Sequence, residues 1–222
     1  MSTDFPLLDV QEISYSLDGS QLLAPVSLAL NAGEFVLLTG PSGSGKSTLL
    51  KIIASLLTPT TGHIFFKGQP IGELKAEHYR QQVSYCFQTP VLFGETVFDN
   101  LALPWQIRHK RVDRPKLQSW LQKVNLPPEM LDKKTEQLSG GEKQRVALLR
   151  NLQFLPDVLL LDEITSALDE ENKQLINQLI TGLAAEEGVA VMWISHDSAE
   201  ISQAQRVLTL TPVGLESANE PA

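Results

Sequence analysis

Gly40-Pro-Ser-Gly-Ser-Gly-Lys-Ser47 lies between the apolar run Phe35–Thr39 and a helical pattern that begins near Lys46, and it decides the fold of this 222-residue chain. The spacing G-x-x-x-x-G-K-S between a strand and a helix is that of a phosphate loop. Its glycines let backbone N–H groups turn inward on a phosphate where a Cβ would obstruct. The helix adds the positive end of its dipole. Gly40, Pro41, Ser42, Gly43, Ser44, Gly45, Lys46, Ser47 and Thr48 are therefore the expected nucleotide contacts. Lys46 is expected to reach the β- and γ-phosphates, and the Ser47 hydroxyl to ligate Mg²⁺.

Two further stretches extend that chemistry. Val158-Leu-Leu-Leu-Asp162-Glu163 is an apolar strand ending in two acids. Asp162 would hold Mg²⁺ directly or through water, and Glu163 would polarise an attacking water as general base. An Asp-Glu pair often marks nothing more than a strand end, but beside a phosphate loop the chemical reading is favoured. Leu138-Ser-Gly-Gly-Glu142 precedes a helix expected over Glu142–Phe154. The N–H groups and hydroxyl of Ser139, Gly140 and Gly141 would form a second anion site there. That site is too far along the chain to belong to the first loop, so two copies are expected to meet around the nucleotide.

Working outward, Val10–Tyr15 alternates loosely, and Asp18-Gly19 and Asn31-Ala-Gly33 are turn signals. A helix is expected over Ser47–Leu57, then strands at His63–Lys67 and Val83–Phe87. Residues 91–137 change character, with prolines, two tryptophans and helical periodicity. The pattern after them is a strand at Val158–Leu161, a helix at Asp169–Ala185, and strands at Val189–Ile194 and Val207–Leu210. Apolar runs alternating with helices indicate an α/β fold with a mostly parallel sheet covered on both faces. The expected organisation is a P-loop NTPase (RecA-like) core over about 1–88 and 138–215, with a small antiparallel β subdomain. A helical subdomain is inserted at about 89–137, and a frayed tail covers 216–222.

Bulk properties narrow the class. Apolar residues make up 42% and charged residues 20%, as in ordinary globular proteins. A net charge of −8 argues against a nucleic-acid partner held by bulk electrostatics. The single cysteine, Cys86, excludes an internal disulfide and fits a reducing compartment. Met1-Ser-Thr-Asp-Phe-Pro lacks the basic start and apolar core of a secretory signal, and no apolar run approaches the roughly 20 residues of a membrane span. The chain is expected to be cytosolic by itself, and any membrane location to come through a partner.

The chain resembles the ATP-binding subunits of ABC transporters over essentially its whole length. Leu138-Ser-Gly-Gly-Glu-Lys-Gln-Arg145 is similar to that family's signature motif, a more specific mark than the phosphate loop. Gln88 stands where the Q-loop glutamine would be, Ser166-Ala-Leu-Asp169 resembles the D-loop, and Ser195-His196-Asp197 the switch histidine. Tyr15 lies where an adenine-stacking aromatic would. The resemblance implies that Gln88 senses the γ-phosphate and joins Ser47 and Asp162 around Mg²⁺, while His196 helps to position Glu163 and water. It implies ATP hydrolysis by Glu163, His196, Gln88 and Lys46, with Ser139, Gly140 and Gly141 supplied in trans by a second copy in a head-to-tail dimer. It also implies an integral membrane permease as partner, at the cytoplasmic face of the bacterial inner membrane. Ile164 departs from the family's usual proline and leaves that turn freer. Tyr79–Cys86, Thr89-Pro90, Leu92-Phe-Gly94, Asp99-Asn-Leu101, Pro104–Arg108, Arg150–Phe154 and Glu163–Glu170 look like the ATPase of the Fet-type putative iron exporter, where Ile164 is expected.

Blander readings accompany these. Cys86 is expected to be a buried strand cysteine rather than a sensor, and His63, His78 and His109 surface residues. Trp105 and Trp120 read as lobe core, with Pro104 and Trp105 a candidate edge of a permease groove. Arg108-His-Lys-Arg111 with Arg114 and Lys116 reads as a solvated face in preference to a permease or lipid contact. A soluble ABC ATPase acting on ribosomes or DNA is the competing function, disfavoured by the single nucleotide-binding unit and the acidic charge. A P-loop kinase or GTPase leaves the signature motif unexplained.

Overall fold

The computed structural model of the chain describes residues 5–217. They pack as two compact units, one of residues 5–85, 157–162 and 181–217, the other of residues 86–156 and 163–180. The first unit opens on β1 (Leu8–Leu17) and β2 (Ser20–Leu30), an antiparallel hairpin. Asp18 and Gly19 between them take φ of 50° and 78°, the left-handed pair that an Asp-Gly hairpin turn favours. Next come β3 (Phe35–Thr39), α1 (Lys46–Ile53), β4 (Thr61–Phe66), β5 (Gln69–Pro70), α2 (Ala76–Gln82) and β6 (Val83–Cys86).

The helix expected to reach Leu57 stops at Ile53. Ser55 turns left-handed at φ 58°, and the Leu56 N–H bonds back to the Lys51 carbonyl, which closes the last turn. No element was expected at α2, because Tyr79 is its one buried residue and a single anchor makes no periodic signal.

The second unit contains α3 (Val97–Ile107), α4 (Arg114–Lys123) and α5 (Gly140–Leu152). The remaining elements are β7 (Val158–Asp162), α6 (Glu170–Glu187), β8 (Ala190–Ile194), α7 (Ser198–Gln203), β9 (Arg206–Thr211) and β10 (Gly214–Ser217). Fraying was expected from 216 onward. Gly214–Ser217 instead pair antiparallel with β9, and the Thr211 hydroxyl donates to the Gly214 carbonyl across the turn at 2.9 Å. Residues 218–222 lie outside the described residues.

Two sheets organise the strands, with orders β2-β1-β4-β5 and β10-β9-β3-β8-β7-β6. The first is antiparallel throughout. In the second, β9, β3, β8 and β7 run parallel. Every residue of β7 and β8 is buried, as continuous apolar strands covered on both faces must be. Leu38 pairs with Ile194, and Ile194 with Asp162, so β3, β8 and β7 end together on one edge of the sheet. Ligands bind at such carboxyl edges in open α/β sheets.

In the second unit Trp105 and Trp120 are each 8% exposed and belong to the core, as expected. The Trp105 ring meets Phe154 edge-on at 5.0 Å. The basic run is more than a solvated face. Arg108 and Lys110 lie 4.5 and 5.0 Å over the Phe154 ring, and Lys116 5.4 Å over Trp105, cations held on aromatic faces. Cys86 is buried, and burial pushes its thiol up to about 12. His63, His78 and His109 are exposed.

α3 starts at a reciprocal cap. Thr96 Oγ1 accepts from the Asp99 N–H at 3.2 Å, and Asp99 Oδ2 accepts from the Thr96 and Glu95 N–H groups at 2.9 Å. The Thr96 hydrogen bonds hold the Asp99 carboxyl below its ordinary 3.8. Thr96→Ala is expected to cost about 1 kcal/mol, or about 2–4 °C in Tm. A depressed carboxylate pKa stabilises the fold above the unfolded value and loses that contribution as pH falls through the folded one. The Tm gap between the native chain and an Asp99→Asn variant should therefore narrow as pH falls below 3.8 in thermal melts. A gap between native chain and Asp99→Asn that stays constant with pH would show that the Asp99 charge takes no part in the cap.

Candidate functional site

At the carboxyl edge of the first unit, the loop from β3 to α1 turns through three glycines of positive φ: Gly40 at 137°, Gly43 at 79° and Gly45 at 96°. Two of them are also sterically required. A Cβ on Gly40 would strike the Leu210 carbonyl, and one on Gly45 would come 2.5 Å from the Leu22 carbonyl. The loop is thus pinned against strands β9 and β2 by glycine alone. No side chain caps α1, so its first-turn N–H groups face the loop. Ser44 is 2% exposed and its hydroxyl has no hydrogen-bond partner. An orphaned buried hydroxyl inside a cradle of glycines suits an oxyanion ligand such as a phosphate.

Lys46, the first residue of α1, is only 7% exposed. Its Nζ donates to the Gly40 and Pro41 carbonyls at 2.8 and 2.9 Å, folding the ammonium into the loop. Ser47 Oγ donates to Asp162 Oδ1 at 3.1 Å, joining the phosphate loop to the end of β7. A hydroxyl and a carboxylate are oxygen donors of the hard kind that Mg²⁺ takes, and the pair fits that ion. The other carboxylate oxygen, Oδ2, accepts from the Tyr85 hydroxyl at 2.6 Å. Tyr85 carried no expected role. The available signal was its place three residues before Gln88, at the end of a strand neighbouring the acidic one.

Tyr15 lies on β1, half-buried against the core of the first unit. His196 is exposed, two residues past the end of β8. The Asp197 side chain after it caps α7 by accepting from the Ala199 N–H at 2.9 Å.

In the second unit Gln88 and Glu163 come together, with Gln88 Nε2 donating to Glu163 Oε2 at 2.8 Å. Glu163 sits in the left-handed region at φ 47°, a conformation costing about 1–2 kcal/mol outside glycine. Its carbonyl is secured by the Ser166 hydroxyl at 3.0 Å. Ile164 has a structural reason, since its side chain is buried. It also lifts the restriction that a proline places on the residue before it.

The signature segment differs locally from expectation. Ser139 is the N-cap of α5, so Gly140 and Gly141 lie inside the first turn and not before the helix. A capping box causes this. Ser139 Oγ accepts from the Glu142 N–H at 3.2 Å, and Glu142 Oε2 accepts from the Ser139 N–H at 2.7 Å. Burial alone would raise Glu142, but the Ser139 N–H and Lys133 bring its carboxyl below the ordinary range. The Ser139 hydroxyl, an acceptor here, keeps its own proton to donate. Further along α5, Arg145 Nη1 donates to Asn172 Oδ1 at 2.7 Å, and Asn172 Nδ2 to Asp169 Oδ2 at 2.7 Å. The Asn172 N–H, at 2.9 Å from Asp169 Oδ1, is the main cause of that carboxyl's lowered pKa. Arg145 of α5 and Asp169 are thus tied through one buried asparagine.

Residues 23–166 match the family described as ABC transporter. The chain is 53% identical over 212 residues to the probable iron export ATP-binding protein FetA of Escherichia coli, covering 96% of itself and 94% of that protein. It is 36% identical over 220 residues to the spermidine/putrescine import ATP-binding protein PotA of Spiroplasma citri, covering 97% of itself and 62% of that longer chain. Among solved structures it superposes, with a TM-score of 0.86 and 29% identity, on a dimeric ATP-binding cassette in a post-hydrolysis state bound to ADP and phosphate. The match covers 96% of this chain and 98% of that one.

Proposed function

The chain belongs to the ATP-binding proteins of ABC transporters and is an ABC-type ATPase, and from that premise we propose that it drives a separate membrane permease exporting iron. The observation that carries the iron assignment is the 53% identity, end to end, with a probable iron export protein. Among the described residues no helix is long and apolar enough to cross a membrane, in keeping with a transmembrane path supplied by a partner chain. The subunit then works at the cytoplasmic face of the bacterial inner membrane, attached through the permease, with no nucleic-acid partner.

The residues divide the work as follows. Residues 40–48 wrap the triphosphate, all but Pro41 offering a backbone N–H, and Lys46 gives its ammonium to the β- and γ-phosphates. Tyr15 stacks on adenine. Ser47 and Asp162, with Gln88, would hold Mg²⁺, which would supply charge neutralisation to the phosphates. Glu163 accepts a proton from the attacking water, and His196 orients it. Ser139, Gly140 and Gly141 of a second copy close on the γ-phosphate, so that two nucleotides join a head-to-tail, two-fold symmetric dimer. The Ser139 proton left over from the capping box and the open first turn of α5 support that role.

The decisive experiment is ATPase activity of the chain co-purified with its membrane partner in lipid, with and without Fe²⁺. Stimulation by Fe²⁺, absent in Glu163→Gln, is expected. A coupled ATPase indifferent to iron would keep the motor and remove the substrate. Failure of any membrane protein to co-purify would favour a soluble ABC ATPase.

A further inference from the structure

We propose that Tyr85 is a positioning residue for the metal-binding carboxylate, holding Asp162 so that one oxygen faces Ser47. The proposal rests on the assignment of Ser47 and Asp162 to Mg²⁺. Asp162 is 3% exposed, and its two oxygens are divided between two hydroxyls. Oδ1 accepts from Ser47 at 3.1 Å and Oδ2 accepts from the Tyr85 hydroxyl at 2.6 Å. A carboxylate held at one oxygen alone can rotate about its last torsion, a broad and shallow barrier. Anchoring Oδ2 removes that freedom and leaves Oδ1 directed at the Ser47 side. A donor bonded to a metal ligand, and not to the metal, fixes that ligand's orientation and tunes metal affinity.

The sequence builds this from the neighbouring strand. β6 lies beside β7 in the sheet, and Tyr85 belongs to the apolar core with its ring packed among buried side chains. Packing alone would be met by phenylalanine, and the hydroxyl is what reaches the acid. A second buried tyrosine provides the contrast. Tyr79, in the same core, donates its hydroxyl at 2.6 Å to the backbone carbonyl of Ile53, a purely structural partner.

The test compares Tyr85→Phe, Tyr79→Phe and Asp162→Asn. A fluorescent ATP analogue is bound first in EDTA and then during a MgCl₂ titration, and thermal midpoints are recorded alongside. Tyr85→Phe is expected to bind the analogue normally in EDTA but to need about tenfold more Mg²⁺ for half-saturation. Tyr79→Phe should lose comparable thermal stability with no change in Mg²⁺ dependence. Asp162→Asn should lose the Mg²⁺ dependence altogether. If Tyr85→Phe keeps the native Mg²⁺ midpoint while Asp162→Asn loses it, the positioning role is overturned and the metal assignment stands. A native Mg²⁺ response in Asp162→Asn overturns the metal assignment, and the proposal with it. Equal weakening of Tyr85→Phe with and without Mg²⁺ assigns the hydroxyl to structure alone and also overturns the proposal.

Discussion

Glu163→Gln is expected to bind ATP as tightly as the native chain while hydrolysing it at least about a hundredfold more slowly, the usual contribution of a positioned general base. The substitution is nearly isosteric. Gln88 Nε2 donates to Glu163 Oε2, and a carboxamide offers an oxygen acceptor in the same place, so the local arrangement persists. The left-handed backbone at 163 and the buried Ile164 side chain are untouched. Basicity and negative charge are what disappear. Binding and hydrolysis should therefore separate, and the ATP-bound dimer should accumulate because the step that opens it is blocked. Single-turnover hydrolysis and light scattering in saturating Mg-ATP read the two effects. A variant hydrolysing within fivefold of the native rate would remove Glu163 from the role of base.

Much of this was legible in the sequence, for reasons visible in particular elements. The phosphate loop reads from its letters because no other residue could stand where Gly40 and Gly45 abut the Leu210 and Leu22 carbonyls. The parallel strands read because burial on both faces forces unbroken apolar runs such as Val158–Leu161. The short helix α2 did not read, since one buried tyrosine sets no period. The true start of α5 was hidden because two glycines resemble a loop until the Ser139–Glu142 box draws them into the first turn. The Asp162–Tyr85 bond joins residues 77 positions apart, and only the neighbouring of β6 and β7 brings the hydroxyl to the acid. Conversely, Ile164 looked like a loosened turn, whereas its side chain is buried. A local pattern exposes what the backbone demands locally, and it stays silent on contacts that the sheet order creates.

Lys46→Ala should weaken ATP binding by about 100-fold, which at 1.4 kcal/mol per decade is about 2.8 kcal/mol and within the range of a single charge-assisted hydrogen bond. The buried ammonium is held by the Gly40 and Pro41 carbonyls, inside the loop that its charge would otherwise have to enter. Turning it onto a phosphate exchanges neutral carbonyl acceptors for a charged one, and the affinity it contributes is the difference between the two. Lys46→Arg should recover little of it. A planar, forked guanidinium does not reproduce a compact ammonium at a site only 7% exposed. Equilibrium binding of a fluorescent nucleotide, with circular dichroism confirming the fold, measures the loss. ADP is the discriminating ligand. An ammonium that bridges the β- and γ-phosphates must lose more with ATP than with ADP, whereas one that only stiffens the loop would weaken both equally. Equal losses would thus leave Lys46 a loop-ordering residue and move the γ-phosphate contact elsewhere. A Kd for ATP within threefold of the native value would remove the phosphate role entirely.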